Sequence, residues 1–278
     1  MRQVRALVVA GFGINCEEET AAAYRLAGAR TDIVHLNTVL LGKCSINDYD
    51  ILTLPGGFSF GDDLGAGKAL ANKLRYRKLP SGQWFFDELL AYIRGGKFIL
   101  GICNGFQALV KMGLLPNVIG DYKQEITLTT NASGQFEDRW CHCVVSPAAR
   151  IPFFGGMDVV SLPVRHGEGR VVIRDETIRE QITTQSLNCL SYCNSEGSPT
   201  ATYPMNPNGS QLNCAALRDP TGQILGLMPH PEGYLSVYNH PNWPRMRRCH
   251  PEAPEEGEGL QIFKNVVEHI RGRRSSQP

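Results

Sequence analysis

The chain has 278 residues, 42% of them hydrophobic, enough to bury the core of one α/β domain spanning residues 1–278. Lysine plus arginine total 28 against 27 acids, so no net field argues for nucleic acid or an acidic membrane, and a partner must be recognised by shape. Nine cysteines, with no basic-then-apolar leader before the first strand and no run near the ~18 apolar residues of a membrane span, point to a reducing cytoplasm rather than to secretion or a disulfide framework.

In chain order, apolar runs at residues 6–10, 31–36, 51–54 and 98–102 read as buried strands, alternating with helical patterns near 17–26, 64–73 and 84–94. That alternation predicts a three-layer α/β fold, a mostly parallel sheet flanked by helices, with ligands beyond the carboxyl ends of its strands. The stretch Gly11-Phe-Gly13 lacks the third glycine of a dinucleotide loop and reads as a tight strand-to-helix turn. The third strand runs into Pro55-Gly56-Gly57-Phe58-Ser59-Phe60-Gly61-Asp62-Asp63, where glycines let bare backbone N–H groups face a ligand. Gly57 is the candidate oxyanion donor, with Gly56 beside it in the cradle. Asp62 and Asp63 read as caps of the helix expected from Leu64.

The fourth strand breaks on Gly101-Ile-Cys103-Asn-Gly105 and restarts as a helix, the layout of a nucleophile elbow. Glycines two positions either side of the nucleophile are needed because side chains there would strike neighbouring backbone. Cys103 is expected exposed at the helix start, where the macrodipole favours a thiolate, and the N–H of Asn104 is the second oxyanion donor. Gln107, one helical turn on, shares the face of Cys103; the bland alternative is a solvated helix glutamine.

From about 136 to 217 the rhythm changes to short strands, at 140–145, 159–164, 169–173 and 187–192. Cys141, Cys143, Cys189 and Cys193 lack a Cys-x2-Cys knuckle, so buried free thiols are expected there rather than a metal site. Farther on, the strand-like Ile224-Leu-Gly-Leu-Met-Pro-His-Pro-Glu232 ends in His230 and Glu232. Each proline holds the residue before it extended, so His230 and Glu232 are expected on one face, Glu232 orienting the imidazole and His230 taking the proton of Cys103. His166, also followed by Gly-Glu, lacks such a device and is ranked behind His230 as the base. Residues 234–258, with four prolines and many charges, read as an extended surface segment; 259–271 reads as a closing helix and 272–278 as a frayed tail.

Pro-Gly-Gly-Phe-Ser-Phe-Gly-Asp, Gly-Ile-Cys-Asn-Gly-Phe-Gln, His166-Gly-Glu-Gly169, Tyr203-Pro-Met-Asn-Pro-Asn-Gly-Ser210 and Met-Pro-His-Pro-Glu occur in the order of a known family. Over nearly its whole length the chain resembles the class I glutamine amidotransferases, and within them the glutaminases of phosphoribosylformylglycinamidine synthase. The resemblance implies a flavodoxin-like amidotransferase fold, with the short strands after 136 as a smaller mixed layer inserted before the histidine strand. It implies hydrolysis of L-glutamine through a γ-glutamyl thioester, with His166, Gln107 and the loop around them in the glutamine pocket. The ammonia would pass to a large synthase subunit that uses ATP and magnesium, with a small third protein as a further partner; no cofactor is expected in this chain, which has no phosphate-binding Gly-x4-Gly-Lys-[Ser/Thr] loop. The Asn-Pro-Asn-Gly-Ser stretch resembles the fused, long form of the synthase more than the separate subunit. One departure is Gly233, where the family usually carries arginine. The rival readings are a non-catalytic regulatory subunit of the same fold, a cysteine peptidase, or a glutaminase serving another synthase.

Overall fold

The computed structural model describes residues 3–149 and 151–275, apart from the side chain of Arg274. In chain order the elements are β1 (Arg5–Ala10), α1 (Glu17–Leu26), β2 (Arg30–His35), α2 (Leu36–Leu40), β3 (Ile51–Leu54), α3 (Lys68–Arg75), α4 (Phe85–Arg94), β4 (Phe98–Ile102), α5 (Asn104–Lys111), β5 (Ile126–Thr129), β6 (Glu137–Val145), β7 (Val159–His166), β8 (Arg170–Ile173), α6 (Glu176–Thr184), β9 (Asn188–Cys193), β10 (Cys214–Arg218), β11 (Ile224–Leu227), α7 (Trp243–Cys249) and α8 (Glu258–Ser275). Nine strands form one sheet in the order β2-β1-β3-β4-β11-β10-β9-β6-β7. The first five run parallel, with the 2-1-3-4-5 order of flavodoxin-like sheets and β11 in fifth place.

β3, β4 and β11 are buried at every position because helices cover both faces, which is why they read as continuous apolar runs. Alternation along β3 divides the two layers. The Thr53 hydroxyl meets the Tyr24 hydroxyl of α1 at 2.7 Å, while Leu52 and Leu54 face Leu74, Leu89 and Leu109 of α3, α4 and α5. α8 lies beside α1, its Phe263 ring edge-on to Tyr24 at 4.9 Å. Each such buried Leu or Phe stabilises the fold by roughly 1.5–3 kcal/mol relative to exposure, so these layers hold the strand ends in place.

The short strands after 136 depart from the expected smaller mixed layer. β10 pairs antiparallel with β11, reversing the chain direction, and β9, β6 and β7 continue the main sheet as antiparallel neighbours; β5 and β8 form a small sheet of their own. β6 alternates between buried and open positions, as an antiparallel strand covered on one face does. Residues 234–258 are also less extended than expected. Tyr234 is buried edge-on against Trp140 at 5.0 Å, and Pro244 sits in the first turn of α7, where a proline's missing N–H costs nothing. The closing helix runs on to Ser275, so 272–275 is helical rather than frayed, while 276–278 lies outside the described residues. The helix expected from Leu64 begins only at Lys68, because Gly65 and Gly67 hold positive φ ahead of it. Among the described residues no helix is long and apolar enough to cross a membrane.

Candidate active site

β3, β4 and β11 are adjacent and parallel, so the loops at their carboxyl ends meet at one edge of the sheet. At the end of β4, Cys103 takes φ 48° and ψ −102°, a backbone that a non-glycine residue adopts only where the surroundings enforce it. The glycines of the elbow are there for space. A Cβ on Gly105 would lie 1.8 Å from the Leu54 carbonyl oxygen, and one on Gly101 would lie 2.8 Å from the Gly105 carbonyl carbon. Gly105→Ala is therefore expected to destabilise the fold by about 4 kcal/mol or more, since the clash is with backbone that cannot rotate away. Thermal unfolding measures this, and a variant melting within a few degrees of the parent would contradict the elbow geometry.

The cysteine is not exposed as expected. It is 5% accessible, with its sulfur 3.6 Å from the Arg165 carbonyl oxygen, because the end of β7 closes over it.

His230 is held by its own N–H to the Pro163 carbonyl at 2.8 Å, and its Nδ1 meets Glu232 Oε1 at 2.5 Å. The expected extended pair is replaced by a 3-10 turn, Pro231–Gly233, which Pro231 begins; the turn, rather than a strand pleat, swings the carboxylate back to the imidazole. Burial alone would make the imidazolium less stable, but the Glu232 carboxylate, with Cys103 and then Cys16 near the ring, lifts the His230 pKa well above the ordinary histidine value. Among the described residues no group completes a hydrogen bond to His230 Nε2 or Glu232 Oε2. Replacing Glu232 by Gln removes the principal charge that supports the imidazolium. The His230 pKa should then fall, as read by the ring's NMR titration; an unchanged or higher value would dissociate the two residues.

Gly57 has φ 140° and bridges Ile14, and a Cβ there would lie 2.6 Å from the Gly13 carbonyl oxygen. The Gly11-Phe-Gly13 turn thus serves as the wall against which the cradle folds. Among the described residues the Gly57 N–H meets no acceptor, and Asn104, first in α5, has an N–H that the helix cannot satisfy. The fully buried Asn104 side chain ties the two loops together. Its Oδ1 accepts from the Ser59 N–H at 3.2 Å, and its Nδ2 donates to Asp62 at 3.1 Å and to Gln107 Oε1 at 3.0 Å. Asp62 also accepts from the Gly67 N–H at 3.1 Å, so it braces the elbow rather than capping a helix at Leu64.

Gln107 is buried, not solvated, and its Nε2 donates to the Glu168 carbonyl at 2.6 Å, fixing the His-Gly-Glu-Gly loop to α5. His166 is buried too. Its Nδ1 lies 3.2 Å from Asn131 Oδ1 and its Nε2 3.5 Å from Asn208 Nδ2, while Asn208 reaches Tyr192 and Ser210. Burial, with the nearby His230 adding to it, pushes the His166 pKa down to about 3, so the ring is neutral and structural at neutral pH. The structure thus brings Cys103, His230, Glu232, Gly56, Gly57 and Asn104 together, and places Gln107 and His166 as supports of the loop beside them. Asp62, Asn131, Asn208 and Ser210 were missed as part of this network. Cys141, Cys143, Cys189 and Cys193 are buried free thiols elsewhere in the sheet.

A cysteine on an elbow, a carboxylate-held histidine and a glycine cradle are parts that several hydrolases share. Residues 3–270 match the family described as CobB/CobQ-like glutamine amidotransferase domain. The chain belongs to this glutamine amidotransferase family. The amidotransferase is 42% identical over 275 residues to the phosphoribosylformylglycinamidine synthase subunit PurQ of Methanococcus maripaludis, covering 96% of this chain and 97% of that one. It is 35% identical over 273 residues to the phosphoribosylformylglycinamidine synthase of Drosophila melanogaster, covering 94% of this chain and 19% of that one. Over the whole chain the separate subunit is the more similar of these two to the amidotransferase. Among solved structures, PurLQS from Thermotoga maritima is similar to the amidotransferase with a TM-score of 0.69 and 26% identity, covering 97% of this chain and 100% of that one.

Proposed function

We propose that this amidotransferase hydrolyses L-glutamine to glutamate and ammonia and supplies the ammonia to the synthase that makes formylglycinamidine ribonucleotide from formylglycinamide ribonucleotide in purine biosynthesis. The observation that carries this reading is the 42% identity to a PurQ subunit along nearly the whole of both chains. In the reaction the Cys103 thiolate attacks the side-chain carboxamide carbon, and the negative oxygen that forms is met by the N–H groups of Gly57 and Asn104. His230, holding the proton taken from Cys103, gives it to the departing nitrogen as ammonia leaves and the γ-glutamyl thioester remains. Water, deprotonated by the same imidazole, then releases glutamate and restores the thiol. Glu232 keeps the imidazole in register and supports its charge throughout.

Gly56, Gln107 and the His166 loop hold the glutamine, the last through backbone groups that the buried histidine keeps in place. ATP and magnesium act on the synthase, a large subunit joined by a small third protein, and the complex works in the cytoplasm. Glutamine turnover with and without the purine synthase tests the assignment. A chain that turns over glutamine only beside another synthase, or not at all, would displace it.

The isolated chain is expected to be a weak glutaminase that its synthase stimulates. The oxyanion N–H of Gly57 lies in a glycine-rich loop, and docking that aligns it should act mainly on kcat; one such donor is worth ~10²–10³ in rate. Steady-state hydrolysis by the chain alone and saturated with synthase and nucleotides measures the effect. Equal kcat in both states would remove this gating while leaving the chemistry in place.

A further inference from the structure

A second thiol reaches the base, and the chemistry described above gives it no task. Cys16, just ahead of α1, places its sulfur so that it, a ring nitrogen of His230 and a carboxylate oxygen of Glu232 all lie within 4.8 Å of one another. A Cβ on Gly56 would sit 3.2 Å from Cys16 Sγ and 2.7 Å from His230 Cε1, so the missing side chain leaves the sulfur and the imidazole facing one gap. His230 and Glu232 are 3% and 4% exposed, and each keeps one buried polar atom, Nε2 and Oε2, that finds no hydrogen-bond partner among the described residues.

We propose that Cys16, His230 and Glu232 form an inhibitory binding site for zinc or a chemically similar thiophilic divalent cation. A donor set of one sulfur, one nitrogen and one oxygen suits that class, whereas magnesium and calcium require shells of oxygen. Zinc bonds of ~2.0–2.3 Å in a tetrahedron put donors roughly 3.3–3.8 Å apart, so Nδ1 and Glu232 Oε1, now 2.5 Å apart, open by about 1 Å while the Cys16 sulfur draws in by about 1 Å, both within the reach of side-chain rotation. A water takes the fourth position. Binding displaces the protons of the Cys16 thiol and of the imidazole nitrogen, so the site strengthens as pH rises. The ion takes Nδ1, the ring nitrogen that faces Glu232, and replaces the proton that Glu232 accepts. Nε2 then keeps its hydrogen and cannot accept that of Cys103, so glutamine hydrolysis stops.

The test uses the complete chain with its synthase, stripped by a chelator, resupplied with ATP and magnesium and titrated with zinc ion, alongside the chain titrated with cobalt(II) alone. Zinc should suppress glutamine-dependent amination while amination from ammonia continues. Cys16→Ser should raise the half-inhibitory zinc concentration about 100-fold relative to the parent, each variant scaled to its own metal-free rate. Cobalt should give a thiolate-to-metal charge-transfer band in the parent and in Cys103→Ala, and none in Cys16→Ser or His230→Ala. Should Cys16→Ser not fold, Cys16→Ala carries the same comparison, and His230→Ala serves the cobalt band alone. A Cys16 variant as zinc-sensitive as the parent, or a cobalt band that survives loss of Cys16 or His230, overturns the proposal. The inhibition rests on the glutaminase reading but the cobalt band does not, so a Cys16-dependent band in a chain without glutaminase activity would sink that reading and leave the metal site standing.

Discussion

Cys103→Ala is expected to reduce glutamine-dependent amination by a factor on the order of 10⁴ or more while amination from free ammonia by the complex continues. The size follows from the chemistry, because no thioester forms without the sulfur and the cradle alone gives only residual catalysis. The split follows from the geometry. The elbow, the cradle and the His-Pro-Glu turn all lie in this chain, so the ammonia-using step elsewhere has no need of the thiol. Alanine is smaller than cysteine and keeps the backbone type, so the elbow should survive, and circular dichroism with thermal unfolding separates lost chemistry from lost fold. Glutamine hydrolysis near the parental rate would remove Cys103 from its role.

His230→Ala is expected to cost about 10³-fold or more, and His230→Ala with Glu232→Gln should cost little beyond that. The 2.5 Å contact between Nδ1 and Oε1 is the reason, since Glu232 acts on the reaction only through the imidazole it holds. Additive losses would mean that Glu232 works independently of His230. A larger loss from His166→Ala than from His230→Ala would move the base to His166. The buried bonds of that ring to Asn131 and Asn208 argue that its loss would instead loosen the loop and raise KM for glutamine.

What could be read from the sequence divides by physical cause. β3 and β4 are apolar at nearly every position because both faces are covered, and they end at residues that break the pattern sharply, so their bounds were visible. α6 was not, since only Ile178 and Ile182 mark its buried face among nine residues that are otherwise polar or branched. β10, Cys214-Ala-Ala-Leu-Arg218, opens on three small residues and has no β-branched member, and it went unnoticed too.

The site shows the same division. Cys103, Gly57, His230 and Glu232 are framed by glycines and prolines whose backbone demands are local, so they stand out in a single sequence. The partners of His166 come from 35 and 42 residues away, and no spacing rule connects an asparagine to a histidine at such distances. Asp62 was legible only as a generic capping acid, because its contact with Asn104 depends on two loops from different strands meeting. Cys16 was hidden for the same reason. Its neighbour in space is the histidine beyond β11, and the two loops meet because the loop after β1 folds onto Gly56, at the end of the adjacent β3, with β4 and β11 next in the sheet.

The most direct test of the central claim is to mix the chain and its synthase with glutamine, quench in acid within the turnover time, and determine by mass spectrometry where a glutamyl group is attached. A mass increase of one glutamyl group on the peptide containing Cys103, absent from Cys103→Ala and lost on alkaline treatment as a thioester would be, is the predicted result. Rapid glutamine hydrolysis with no adduct at Cys103, or with an adduct on Cys16 instead, would contradict it.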